Sequence, residues 1–133
     1  MPITVERHSS LPVLLFTYSG AIALEDMINA YYQSLQLLTP DDQVVYRVIH
    51  VKSLDSNFAD ILKMVQSSAS NQPPSAAEAE HEMPMVVVGY DKWTKLYLQM
   101  MSQPQFGAVT IPCFSTVDLA LNFVSGQINK EAS

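Results

Sequence analysis

Four apolar residues in a row, Met85 to Val88, three of them valine, are followed at once by Gly89, Tyr90 and Asp91. A short unbroken run rich in β-branched residues has the composition of a strand buried on both faces, as strands of parallel sheets are. Asp91 can cap a helix opening at Lys92, because its carboxylate accepts from the orphan N–H groups of a first turn. Trp93, Leu96, Tyr97 and Met100 then recur at helical spacing and make one apolar face. This strand–turn–helix unit belongs at the centre of an α/β sheet, and the remaining segments are read around it.

Ile3–Arg7 alternates apolar and polar residues, the period of a half-exposed strand, and Val13–Tyr18 reads as a more deeply buried one. With His8-Ser-Ser10 as a turn they make an N-terminal β-hairpin. Pro12 suits the first residue of a strand, and Gly20 closes it. Leu24, Met27, Ile28, Tyr31, Leu35 and Leu38 follow the helical period until Thr39-Pro40 stops it. Val44–Val51 is the next strand, and Phe58, Ile61, Leu62 and Val65 form the apolar face of a second helix that Asn57 and Asp60 can cap. Composition changes at Ser67: residues 67–82 are Ser, Ala, Asn, Gln, Pro and Glu with almost no apolar anchor, as expected for a long polar loop. Past the central unit, Ala108–Ile111 is expected as the last strand, with Ser115 opening a capped helix and Gly126 closing it. The order is β-β-α-β-α-β-α-β-α: an α/β fold with a mixed, mostly parallel sheet and helices packed on it, in a single domain spanning residues 1–133.

Composition narrows function mainly by exclusion. The net charge is −6, and the seven Lys and Arg residues are scattered, whereas counterion release on nucleic acid needs clustered cations. Neither nucleic-acid binding nor membrane insertion is expected, since no apolar run is long enough to span a bilayer. The N-terminus lacks the basic and apolar regions of a signal peptide, and one cysteine forms no internal disulfide, so the expected compartment is the cytoplasm. His8, His50 and His81 have no metal-ligand spacing, and the four glycines are not clustered as a phosphate loop requires. No metal and no cofactor are expected. A phospho-aspartate receiver would need an acidic pair after its first strand and a lysine after its last; Gly20-Ala21 and Pro112-Cys113 stand there instead.

Gly20 leading into an acidic helix start, Asp55-Ser56 after a buried strand, Val86-Val-Val-Gly-Tyr-Asp-Lys-Trp93 and Phe114-Ser-Thr-Val-Asp-Leu-Ala-Leu-Asn-Phe123 occur in the order seen in STAS domains. The chain resembles the SpoIIAA-like branch of that superfamily, the anti-sigma-factor antagonists, over most of its length outside residues 67–82. The resemblance implies a STAS fold and a non-enzymatic regulatory module acting through protein partners. It also points to Ser56 as a phosphoacceptor, because the family carries its phosphorylated serine in an Asp-Ser-Ser/Thr-Gly motif after the equivalent strand. Asp55 and Ser56 match that motif; Asn57 and Phe58 depart from it. Read from the residues alone, Asp-Ser-Asn is a turn-and-cap sequence, and that structural role is the expectation here.

Cys113, between a strand and a capped helix, is either a small core hydrophobe, which is the expectation, or a thiol lowered in pKa by the helix, with His50 a base only if the fold brings it near. Trp93, Tyr97, Met100 and Met101 pack on the sheet by default; any surplus of that face, with Tyr32 and Asp55, would serve a homodimer, a protein partner or a pocket for an apolar ligand. Tyr31 and Tyr32 cannot both point inward from one helix. The leading expectation is thus a regulatory, homodimeric interaction module. A carrier of an apolar small molecule or lipid is the alternative, and a cysteine- or serine-dependent enzyme ranks third.

Overall fold

The computed structural model describes residues 2–42, 44–55, 57–69, 84–89, 91–106 and 110–132. Five strands, β1 (Ile3–Arg7), β2 (Val13–Tyr18), β3 (Tyr46–Val51), β4 (Met85–Val88) and β5 (Cys113–Phe114), lie side by side in chain order. β1 runs antiparallel to β2, with Ile3 opposite Tyr18 and Arg7 opposite Leu14. The other three pairings are parallel, with Val13 opposite Tyr46, Arg47 opposite Met85 and Val87 opposite Cys113. Helices α1 (Leu24–Leu35), α2 (Phe58–Ala69), α3 (Lys92–Met101) and α4 (Val117–Ala132) alternate with the strands as the sequence pattern requires.

Because the sheet grows in one direction, right-handed crossovers put every connecting helix on the same face. Leu14 and Phe16 of β2, Val45 and Ile49 of the β3 segment and Val87 of β4 meet Ala30 of α1, Ile61, Met64 and Val65 of α2 and Met101 of α3 in one core cluster. The alternate residues Val13, Tyr46, Val48, Val86 and Val88 face the other way, where α4 packs on them with Ala120 and Val124. Val86 and Val88 on the α4 face and Val87 on the face of the other helices are all but inaccessible to solvent, so the valines of β4 are buried on both faces, as their composition requires. Fully burying each such valine stabilises by about 1.5–3 kcal/mol.

The helix starts carry the expected caps. Asp91 Oδ1 accepts from the Thr94 N–H at 2.8 Å, and its Oδ2 accepts from the Thr94 hydroxyl at 3.0 Å. Asn57 Oδ1 accepts from the Asp60 N–H at 2.9 Å, while its Nδ2 donates to Asp60 Oδ2 at 3.1 Å. Far from the helix starts, Arg7 at the end of β1 donates two parallel bonds of 2.9 Å to the Asp42 carboxylate and one of 2.9 Å to the Leu37 carbonyl. Asp42 also accepts from the Thr39 N–H at 2.7 Å, so the connector between α1 and β3 is tied to the hairpin. Hydrogen bonding to Arg7 holds the Asp42 carboxyl well below the usual carboxylate range, and the same bond raises Arg7.

Four sequence expectations are corrected. Among the described residues the last strand is Cys113–Phe114; Thr110 and Ile111 of the expected Ala108–Ile111 are in no strand, and Ala108 and Val109 lie outside the described residues. Pro112 accepts from the Val87 N–H at 2.9 Å but has no N–H to return to β4, so the ladder begins only after it. The polar segment starts later than Ser67, because α2 continues to Ala69; residues 70–83 lie outside the described residues. Thr116, not Ser115, caps α4, its hydroxyl accepting from the Leu119 N–H at 3.2 Å. Gly126 does not end that helix, which runs on to Ala132.

Candidate functional site

Binding residues concentrate on loops that a rigid scaffold positions, here the loops leaving the carboxyl ends of the strands. Here β2 and β3 remain paired beyond their ends. The Lys52 N–H donates to the Tyr18 carbonyl at 3.0 Å, the Gly20 N–H to both the Ser53 carbonyl and hydroxyl at 3.1 Å, and the Asp55 N–H to the Gly20 carbonyl at 2.9 Å. Gly20 makes this turn at φ +85°, and Ala21 and Asp55 close it as an isolated parallel bridge. Three residues beyond that bridge on each chain segment stand Leu24 and Phe58, the first residues of α1 and α2. The two helices therefore start side by side. At the first of them Asp26 Oδ2 accepts from the Ala23 N–H at 2.9 Å.

Large apolar side chains are exposed along α1 and at the start of α2. Ile28 and Tyr32, one turn apart on α1, are 43% and 45% exposed, and Phe58 at the start of α2 is 58% exposed. Phe58 thus leaves the apolar face that the helical period assigned to it. Tyr31, on the same side of α1 as Ile28, turns inward to the sheet, and the Arg47 guanidinium of β3 lies 5.7 Å from its ring centroid. That contact orients α1: its Ile28–Tyr32 flank looks toward the middle of the sheet and α2, away from β1. Below this flank the phenol of Tyr18 is pushed up in pKa by burial and, to a lesser degree, by neighbouring Tyr97, with Arg47 acting in the opposite sense. Tyr18, Tyr31, Arg47 and Tyr97, from four different elements, form a polar seam within the three-helix face.

The residues singled out in the sequence separate into distinct surroundings. Asp55 is exposed just before α2, and Tyr32 is exposed two turns along α1. Trp93 and Tyr97 are half-buried against the core, and Lys92 Nζ lies 4.8 Å from the Trp93 ring centroid. Met101 is buried in the core at 4% exposure. Ser56 lies outside the described residues. Cys113 is exposed, contrary to its expected place in the core; its thiol donates to the Gly89 carbonyl at 3.3 Å, and partial desolvation of the sulfur pushes its pKa up. Cys113 pairs with Val87 on the three-helix face, whereas His50 pairs with Val88 on the opposite face, so the sheet separates thiol and imidazole. Burial, then Lys52, lowers the His50 pKa. No group of three or more His, Cys, Asp or Glu fit to hold a metal occurs among the described residues. No helix among them is long and apolar enough to cross a membrane.

Sequence reasoning missed Ile28 and Phe58 as surface residues, because periodicity marks a face as apolar without marking how much of it is covered. The available signal was width: Ile28 and Tyr32 carry the apolar arc of α1 past the inward-facing Tyr31 and Leu35.

No protein-family model matches the sequence, and no curated protein is similar to it in sequence. Among solved structures, the chain is similar to an uncharacterized DUF3478-family protein with a SpoIIAA-like fold from Shewanella loihica PV-4. That likeness has 16% identity and a TM-score of 0.51, covering 92% of this chain and 91% of the other. It is also similar to an anti-sigma factor antagonist from Mycobacterium paratuberculosis, at 21% identity and a TM-score of 0.47 over 92% of both chains. The fold is SpoIIAA-like: one antiparallel strand pair, the rest of the sheet parallel, with helices packed on it.

Proposed function

We propose that this chain is a non-enzymatic regulatory module, acting as one domain, that docks a protein partner on the adjoining ends of α1 and α2. The observation that carries the reading is the exposure of Phe58 at the start of α2 and of Ile28 and Tyr32 along α1, two helices whose starts are held together by the Ala21–Asp55 bridge. Exposed Glu25 and Asp55 border these side chains, and the chain has a net charge of −6. An apolar surface with an acidic border fits a partner that presents apolar side chains flanked by lysine or arginine. The SpoIIAA-like fold agrees with this reading, as does the separation of Cys113 from His50.

The test compares wild type with a Tyr32→Ser/Phe58→Ser double variant as baits in cells of the source organism. The protein that distinguishes them is then purified and titrated against both. Both positions are exposed, so the urea midpoint should stay unchanged while affinity falls at least about tenfold. Equal binding of every captured protein by the two baits would refute the docking surface. A second reading, a carrier of an apolar small molecule, draws on the same exposed side chains above the Tyr–Arg seam. Native mass spectrometry that finds a bound apolar molecule, released by the double variant, would favour it.

A further inference from the structure

We propose that β1 is a self-pairing edge, through which two copies of this chain join their sheets antiparallel about a two-fold axis at Val5. The backbone pattern sets up the pairing. β1 is one edge of the sheet, and its register to β2 continues outward to the pairs Pro2–Ser19 and His8–Val13. In those pairs the Ser19 N–H donates to the Pro2 carbonyl and the His8 N–H to the Val13 carbonyl, both at 2.9 Å. Hydrogen-bonded pairs alternate along an antiparallel ladder, so the even-numbered residues of β1 exchange bonds with β2. The N–H and C=O groups of Ile3, Val5 and Arg7 point away from the sheet.

The two edges are built differently. β5 is two residues long and follows Pro112, features that blunt an edge against pairing. β1 is five residues long, contains neither proline nor glycine, and keeps its register without a bulge. Its one inward-facing charge, Arg7, is at the end and is held by Asp42.

The side chains suit a second copy. An axis at Val5 sets Thr4 opposite Glu6 of the other copy and Ile3 opposite its Arg7, while the half-buried Val5 meets itself. No like charges oppose one another, the arrangement that favours a cross-strand pair. Thr4 and Glu6 are exposed, on the face that α4 leaves bare beside β1. The inference does not rest on the proposed partner surface: the Ile28–Tyr32 flank looks away from β1, so a dimer would leave both copies of that surface open.

Thr4 gives a register-specific test that leaves the core untouched. Thr4→Glu sets a second carboxylate opposite Glu6 at each of the two symmetry-related positions, and Thr4→Lys sets an opposite charge there. Sedimentation equilibrium at low salt should show a wild-type dimer. Its dissociation constant should rise about two- to thirtyfold in Thr4→Glu and fall by a similar factor in Thr4→Lys. Hydrogen exchange should show the outward Val5 amide protected in the dimer and less protected in Thr4→Glu at the same concentration, at unchanged circular dichroism. A wild-type chain that sediments as a monomer throughout the micromolar range would overturn the proposal. So would a dimer whose affinity ignores both substitutions, or one with an unprotected Val5 amide.

Discussion

Three glycines in three different situations allow backbone strain and steric contact to be measured separately. Gly89, which ends β4, sits at φ +154°, where a side chain is disfavoured, and its N–H donates to the Phe114 carbonyl at 3.0 Å. A Cβ there would lie 3.2 Å from Val51 Cβ, 3.4 Å from the Val51 carbonyl and 3.6 Å from Thr94 Oγ1. The disfavoured backbone costs about 1–3 kcal/mol. Two Cβ atoms prefer 3.5 Å or more, and both would be fixed to neighbouring strands, so relief requires β3 and β4 to move apart. That adds roughly 1 kcal/mol. Gly89→Ala is therefore expected to lose about 2–4 kcal/mol. Gly20, at φ +85° with nothing within 4 Å of its Cβ position, isolates the backbone term, and Gly20→Ala should lose about 1–2 kcal/mol. Gly126 lies inside α4 with the same open surroundings, and Gly126→Ala should gain up to about 1 kcal/mol. Urea denaturation separates the three, because m-values of about 1–3 kcal/mol per molar convert these differences into resolvable shifts of midpoint. Equal losses in Gly89→Ala and Gly20→Ala would refute the argument that the approach to Val51 matters.

Two further outcomes concern titratable groups. Asp42→Asn should destabilise by about 1–3 kcal/mol at neutral pH, because it removes a charge-assisted pair whose carboxylate is only 10% exposed. Asp42 has a depressed folded pKa, so its contribution is complete above the unfolded value of about 4 and is lost as pH falls toward the folded one. The gap in urea midpoint between wild type and Asp42→Asn should be flat near neutrality and shrink in acid; a gap that widens in acid would contradict this. Cys113, its thiol pushed up by partial desolvation of the sulfur, should alkylate with a midpoint above that of a free cysteine, and a midpoint below about 8 would show an activated thiol instead.

The strands and helices were legible because their signals are local. The valines of β4, the Asp91 cap and the alternation of Ile3–Arg7 each state a backbone preference and a burial pattern within a few residues. Proline was legible as a boundary but not as to which side it bounds. Pro112 reads as the end of a strand, yet its missing N–H makes it the residue before one. The site was far less legible, since exposure depends on what the rest of the chain covers. Phe58 and Ile61 look equivalent in a helical period, but Ile61 is buried under the sheet and Phe58 is left outside. Cys113 reads as core because free cysteines usually are; its place on a two-residue edge strand depends on where the ladder to β4 begins. The Arg7–Asp42 pair, separated by 35 positions, leaves no local trace at all.

Strand order that equals chain order has a consequence for synthesis. Each strand leaving the ribosome finds the strand it pairs with already made, so the sheet can grow by addition, with no strand waiting for a later one to be inserted. Contacts between neighbouring segments also keep loop-closure costs low. The second core forms on a different schedule. Val13, Tyr46, Val48, Val86 and Val88 acquire their cover only when Ala120 and Val124 arrive with α4. A nascent chain stopped after β5 would hold a nearly finished sheet with one greasy face bare, the kind of intermediate that aggregates and that chaperones bind. The arrival of α4 is thus the step that covers that face.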